Sequence, residues 1–221
     1  VHVDAVITDP PYGCQHANQV QARSVNDGTG RVESFDIEWN FDLPLDYIEK
    51  SAAILKPGGS FLTFTDTKKV ETIWSAVQSA GLRPLQLVYW VKSNPPPQPR
   101  KNFQSAVEVA IFARKPGNVL HWGGGGATRN VYETSIAMGA DRTEHPTQKH
   151  VDVMRWLIGL LCPPGGTVLD PFGGSGTTAV AAMLEGRESI SIERDPEYFE
   201  IMRKRLQGLY DSDTIRQMEL V

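Results

Sequence analysis

The sequence predicts one α/β domain built on a mostly parallel sheet, and three observations predict it. Val3-Asp4-Ala5-Val6-Ile7 is an apolar, β-branched run of the kind found in strands covered on both faces. Val168-Leu169-Asp170 opens a strand, helix, strand, helix series that fills the rest of the chain, the alternation of parallel βα units. At 221 residues, 40% hydrophobic and 22% charged, the chain is long enough for one good core or at most two small domains.

After the first strand, Thr8-Asp9-Pro10-Pro11-Tyr12 forms a stiff corner. Neither proline donates to a ladder and each fixes φ. An acid, a proline carbonyl and a tyrosine are thereby aimed off the carboxyl end of a buried strand, where open α/β sheets bind ligands. Residues 13–41, with Gly13, Asn26, Asp27, Gly28 and Gly30, have no sustained period and read as a long binding loop or lid. Leu45, Ile48, Ala52 and Leu55 follow helical spacing until Pro57-Gly58-Gly59 stops them. Ser60–Thr65 is a strand ending in Asp66, which either lines a pocket or caps the following helix. Val70, Ile73, Trp74 and Val77 form one core stripe. Leu85–Val91 and Ala106–Phe112 are strands, expected to pair antiparallel at the sheet's edge, with the stiff Pro95–Pro99 segment between them. Residues 114–145 are loop-rich. His150–Leu161, Thr177–Gly186 and Pro196–Leu206 are helices, and Ile190–Glu193 is a strand. Val1 stands almost at the start of a core strand, so further residues are expected upstream.

Net charge is −4, yet six basic residues between Lys92 and Asn130 (Lys92, Arg100, Lys101, Arg114, Lys115, Arg129) face a single acid, Glu108. That segment carries +5 and the remainder −9, a basic patch on an acidic protein, suited to phosphates. Lys92, Arg100, Lys101 and Arg129 are the candidate phosphate contacts. The two cysteines, Cys14 and Cys162, lack metal-ligand spacing, and no metal is expected. No stretch reaches the apolar length of a membrane helix, and a cytoplasmic protein is expected.

The second constellation is Asp170-Pro171-Phe172-Gly173-Gly174-Ser175-Gly176-Thr177-Thr178: strand, glycine-rich turn, helix start. Its glycines allow close backbone approach, and the helix N-terminus offers N–H groups. Glu193, 23 residues after Asp170 at the next strand's tip, is placed to hold ribose hydroxyls. The turn lacks the lysine of a phosphate-binding loop and the G-x-G-x-x-G spacing for dinucleotides. A nucleoside without pyrophosphate fits better, and S-adenosylmethionine is such a ligand.

With both constellations in hand, the sequence resembles the β-group DNA amino-methyltransferases, which modify adenine N6 or cytosine N4. In that group an Asp-Pro-Pro-Tyr stretch precedes an Asp-Pro-Phe-x-Gly-x-Gly-Thr loop, as Asp9–Tyr12 precedes Asp170–Thr177 here. Leu55-Lys56-Pro57-Gly58-Gly59, Trp90-Val91-Lys92 and His145-Pro146-Thr147-Gln148-Lys149 also look like the family. Where the family commonly has a second proline after that lysine, this chain has His150, and the family's Gly-Asp stretch upstream of the first strand is absent. The resemblance implies a Rossmann-like methyltransferase fold: a mostly parallel seven-stranded-type sheet with one antiparallel edge strand and helices on both faces. It implies a single catalytic domain over 1–221, with a catalytic half at 1–115, recognition loops at about 13–41 and 93–145, and a cofactor half at 145–221. It implies S-adenosylmethionine as cofactor, S-adenosylhomocysteine as product and double-stranded DNA as partner. A homodimer and a cognate restriction endonuclease acting on the same site are further expected partners.

An exocyclic amino nitrogen is a poor nucleophile because its lone pair is delocalised into the ring. Two acceptors gripping its hydrogens, the Asp9 carboxylate and the Pro10 carbonyl, would favour a tetrahedral nitrogen, and Asp9 can help dispose of the departing proton. The base must be flipped from the duplex, with Pro11 stiffening the corner and Tyr12 stacking on the ring. The resemblance further implies that Phe172, Gly173, Gly174 and Gly176 line the cofactor and that Asp170 lies near its amino group. Pro171, Ser175 and Thr177 belong to the same turn, and Thr147 and Lys149 fall at the carboxylate end, where Lys149 is otherwise a solvated helix-start lysine. Adenine N6 is the expected target, since cytosine enzymes more often carry Ser in place of Asp9. The rivals are cytosine N4, RNA adenine (usually with Trp in place of Tyr12) and a module that binds without turnover.

Overall fold

The structure is a computed structural model that describes residues 1–11, 45–95, 103–136 and 148–219, with side chains to 211. By its contacts the chain divides into two units, Val1–Pro10 with Leu45–Val221, and Pro11–Pro44. Of the second unit only Pro11 is among the described residues.

The first unit carries a seven-stranded sheet. Its strands are β1 (Val3–Thr8), β2 (Leu55–Thr65), β3 (Arg83–Lys92), β4 (Val107–Arg114), β5 (Val131–Thr134), β6 (Thr167–Asp170) and β7 (Glu188–Ser191), in the order β5-β3-β4-β2-β1-β6-β7. The helices are α1 (Asp46–Ile54), α2 (Val70–Ser79), α3 (Val151–Leu161), α4 (Thr177–Leu184) and α5 (Pro196–Glu219). Among the described residues no helix is long and apolar enough to cross a membrane.

β1 is buried at all six of its residues, so both faces of the sheet are covered at its centre. It pairs parallel with β2 on one side and β6 on the other, and β6 pairs parallel with β7. Only β4 runs against the rest, pairing antiparallel with both β2 and β3, as expected for β3. It is not the edge strand: β3 and then β5 lie outside it, and β5 returns to the common direction. The sequence pattern missed β5 because four residues are too few to show a period. α1 packs on α2, α3 on α4, and α4 on α5. The core runs through Ile7, Phe61, Leu62, Ile111, Met154, Leu157 and Ile158, each almost fully buried, a burial worth about 1.5–3 kcal/mol per side chain.

The Leu55–Gly59 stretch does more than end a helix. Leu55 already has extended backbone, φ −70° and ψ 134°, and β2 begins there. Pro57 keeps the helix from resuming, because a proline disfavours helical backbone in the residue before it, here Lys56. Gly58, at φ +74°, lies so close to Asn118 that a Cβ would fall 1.6 Å from that residue's carbonyl oxygen. Lys115 follows β4 and places its ammonium 2.6 Å from the Ala52 carbonyl and 2.7 Å from that of Leu55, closing the open C-terminus of α1. α5 continues well past the expected end at Leu206, since nothing in 207–219 breaks a helix as proline would.

Candidate active site

Parallel strands deliver their carboxyl ends to one edge of the sheet, so β1 and β6 bring the two motif acids side by side. Thr8, fully buried at the end of β1, donates from Oγ1 to Asp170 Oδ1 at the end of β6, 2.7 Å away. Asp170 also accepts from Thr178 Oγ1 at 2.5 Å and from the Phe172 N–H at 3.0 Å. Burial pushes its carboxyl up to about 6, against the pull of these three donors and with some help from the nearby Asp9 charge. Asp170 therefore clamps two strand tips to the start of α4. Asp170 is expected beside the cofactor's amino group; here its carboxylate accepts from three of the protein's own donors.

The Asp9 side chain turns to cations. Its Oδ2 lies 2.5 Å from Lys149 Nζ, a side chain only 8% exposed. The same ammonium stands 2.7 Å from Glu108 Oε2, and Glu108 Oε1 is 2.7 Å from Lys92 Nζ. The result is a chain of alternating charge, Asp9–Lys149–Glu108–Lys92. Two aromatic rings flank it, Phe64 at 5.1 Å from Lys149 and Trp90 at 5.4 Å from Lys92. Burial opposes the charge on Lys149, yet the carboxylates of Asp9 and Glu108 prevail and hold it above the ordinary lysine range. Burial likewise works against the charge of Glu108, and Lys149 and Lys92 together bring it below the usual glutamate range.

Glu108 was not among the expected site residues. It reaches this edge because β4 is reversed: the second residue of β4 lies opposite Trp90, near the end of β3. The available signal was a lone acid within the apolar run Val107–Phe112, since a buried acid requires a partner.

The glycine turn is ordered by what packs beneath it. Gly176 caps α4 at φ +78°, and a Cβ there would meet Met202 Cγ of α5 at 2.7 Å. Gly174 has φ +51°, and its N–H donates to Glu193 Oε2 at 2.8 Å, while the Asp195 N–H donates to Glu193 Oε1 at 2.8 Å. Each carboxylate oxygen has two lone pairs, so these bonds leave Glu193 capacity for hydroxyl donors. Phe172 packs edge-on against Tyr47 of α1, centroids 5.1 Å apart, and the Tyr47 hydroxyl meets Thr63 Oγ1 at 2.9 Å. Ser175 and Thr177 are buried and share a 3.2 Å hydroxyl contact; Arg205 donates to both residues. This turn, with an acid beyond the next strand, fits a nucleoside cofactor: a half-buried Gly174 and a carboxylate for its hydroxyls.

Other expectations fare variously. Asp66 accepts from the Lys68 N–H at 2.8 Å, so it caps the turn after β2. His150 caps α3, its Nδ1 accepting from the Asp152 N–H at 3.2 Å, which is how the helix starts without the family's proline. Of the basic stretch, Lys92 is paired with Glu108 and Lys115 serves α1, whereas Arg129 is exposed. Tyr12, Arg100, Lys101, Thr147 and the 13–41 loop lie outside the described residues. A groove of about 510 Å³ beside α3, lined by Tyr132, Arg155, Trp156 and Glu185 among others, holds none of the expected site residues.

A model of a DNA methylase family, the N6/N4 methyltransferases, matches residues 3–204. The type II methyltransferase M2.DpnII of Streptococcus pneumoniae is 28% identical, over 93% of this chain and 83% of its own length. M2.MboI of Moraxella bovis is 25% identical, over 92% of this chain and 80% of its own length. The crystal structure of the M1.HpyAVI–SAM complex superposes with a TM-score of 0.72 at 29% identity, covering 93% of this chain and 90% of that one. The cytosine-N4-specific PvuII DNA methyltransferase has a TM-score of 0.65 at 20% identity, covering 91% of this chain and 78% of that one, a likeness of fold alone.

Proposed function

The chain belongs to the N6/N4 DNA methylase family, and we propose that within it this enzyme methylates the N6 amino group of adenine in double-stranded DNA. It is a DNA amino-methyltransferase that depends on S-adenosylmethionine. The observation that carries the adenine assignment is the acid at position 9, an ionic acceptor at the tip of β1 that the buried Lys149 holds in place.

In this reading the Asp9 carboxylate and the Pro10 carbonyl each accept one hydrogen of the target amino group. A carboxylate has about four acceptor sites, so pairing with Lys149 does not exhaust it. Gripping both hydrogens localises the nitrogen lone pair, and the fixed corner aims it. Tyr12 keeps the stacking role that the family resemblance implies, on a base taken out of the duplex. S-adenosylmethionine, when bound, supplies an electrophilic methyl group on a sulfonium sulfur. Phe172, Gly173, Gly174 and Gly176 would line it, and Glu193 would take its ribose hydroxyls. The exposed Arg129 is the phosphate contact among the described residues, and such contacts position DNA without reading its sequence. A restriction endonuclease of the same specificity completes the proposal, since M2.DpnII and M2.MboI carry type II names, and the homodimer rests on the family resemblance alone.

The test is transfer of labelled methyl from S-adenosylmethionine to unmethylated genomic DNA, with nucleoside analysis of the product and Asp9→Asn in parallel. Label in N6-methyladenine that the variant loses supports the proposal. Label in N4-methylcytosine would move the target to cytosine, and label in RNA alone would remove DNA as the substrate.

A further inference from the structure

We infer that Glu108 is a positioning residue for methyl transfer: it shares the Lys149 ammonium with Asp9 and so keeps the Asp9 carboxylate able to accept from the target amino group. The inference rests on the proposed amino-methyl transfer at Asp9 and deepens it.

Three segments far apart in the sequence converge to make the arrangement: the tip of β1, the start of the reversed β4, and the turn before α3. Lys149 Nζ donates a hydrogen bond to Asp9 Oδ2 at 2.5 Å. It stands 2.7 Å from Glu108 Oε2, a buried oxygen that it meets as an ion pair without hydrogen-bond geometry, so Glu108 draws on the same cation by charge. The far oxygen of Glu108 holds Lys92 at 2.7 Å. The four charges alternate in sign and sum to zero. With Glu108 neutral, Lys149 would have Asp9 as its main counter-charge in a site of low polarity, where attraction between opposite charges is strong. The ammonium would settle on Asp9 and compete with the amino group for its oxygens. Glu108 prevents this by drawing Lys149 the other way.

The electrostatics suit this role. Glu108 is held below, and Lys149 above, its ordinary range, so both stay ionised across the enzyme's working range and the chain acts by charge, without relaying a proton. The two lysines also explain the burial of an acid on a strand otherwise built of apolar residues, because a buried carboxylate requires compensation.

The experiment is steady-state methyl transfer by the full chain as wild type, Glu108→Gln, Glu108→Asp, Lys149→Gln and the Glu108→Gln/Lys149→Gln double variant. Binding of S-adenosylmethionine is measured separately by titration calorimetry. For Glu108→Gln we expect kcat to fall roughly 10- to 100-fold, the scale of a small misplacement at a reacting centre. Cofactor affinity should stay within about twofold, since the turn that holds the cofactor is untouched. Glu108→Asp, which keeps the charge, should recover part of kcat. The double variant should lose less than the product of the two single losses, because Glu108 acts through Lys149. Should Glu108→Gln fail to fold, Glu108→Asp carries the test: kcat lowered, cofactor affinity kept. Wild-type kcat in Glu108→Gln overturns the inference, as do strictly multiplicative losses. So does a loss confined to cofactor affinity, which would return Lys149 to the cofactor's carboxylate end. A wild type without transfer to any DNA overturns instead the reading on which the inference rests.

Discussion

Asp9-Pro10 at the tip of β1 and Asp170-Pro171 at the tip of β6 share a dipeptide, a strand end and a direction, on strands that are direct neighbours. Their carboxylates meet different surroundings. Asp9 faces a buried ammonium that a second acid shares. Asp170 faces two hydroxyls and one backbone N–H, all neutral and all within the protein. The first arrangement holds a partly exposed carboxylate beside a buried cation. The second spends its charge on joining two strands and a helix. A strand tip in an α/β sheet is thus only a place for chemistry, and the donors around it decide whether chemistry occurs.

The contrast breaks most visibly by mutation of each acid in turn. Asp9→Asn keeps an oxygen for Lys149 but loses the anion, and turnover should fall roughly 10²- to 10⁴-fold with little change in unfolding temperature. Asp170→Ala removes the acceptor for Thr8, Thr178 and the Phe172 N–H at once, and unfolding free energy should drop by about 2–4 kcal/mol. Methylation kinetics and denaturant melts on both variants check the crossing. If Asp170→Ala were as stable as wild type, the clamp would not be one.

A smaller effect sharpens the same boundary at the glycine turn. Gly176→Ala places a Cβ in left-handed backbone and 2.7 Å from Met202 Cγ. It should cost about 1–3 kcal/mol of stability. Cofactor affinity should weaken too, because the turn shifts away from α5, and calorimetry with S-adenosylmethionine measures it.

How much of this was legible in the sequence follows from what each feature depends on. The strands with long apolar runs and the two Asp-Pro turns were legible, because β-branched runs, prolines and glycines act locally. The position of β4 one place inside β3 was not, since strand order is a property of the folded sheet and leaves no mark on any single strand. Glu108 was missed for the same reason: it belongs to the site only once β4 is known to run backwards. Lys149 was found, but its partner was not. From the sequence it was a contributor at the cofactor's carboxylate end or a solvated lysine at a helix start. The fold buries it, which rules out the solvated lysine, and pairs it with Asp9, 140 residues away along the chain. Charge counted along a chain does not show local uses such as the closure of α1 by Lys115 or the pairing of Lys92 with Glu108.

The finest separation of the two surroundings is in the pH response of Asp170 and of Glu108, the second acid beside Lys149. Burial raises Asp170 to about 6 from 3.8, so the folded protein binds a proton there more tightly than the unfolded chain does. Its contribution to stability is largest at low pH and is withdrawn as pH climbs from about 4 to about 6, by roughly 3 kcal/mol. Glu108 has the opposite sign: depressed by its two lysines, it contributes above the ordinary glutamate value, and that contribution is lost as pH falls through its folded value. In Asp170→Asn the amide oxygen can still accept from Thr8 and Phe172 while the amide nitrogen donates to the Thr178 hydroxyl. Its stability at pH 8 should therefore differ from wild type by less than about 1 kcal/mol. Between pH 4 and 6 its stability should rise more steeply with pH than that of wild type, because the opposing acid is gone. Glu108→Gln should do the reverse and flatten the loss of stability on acidification. Urea melts of the three proteins from about pH 8 down to below the ordinary glutamate value measure both slopes, and parallel curves would mean that the surroundings of Asp170 and Glu108 do not act on their charges in opposite directions.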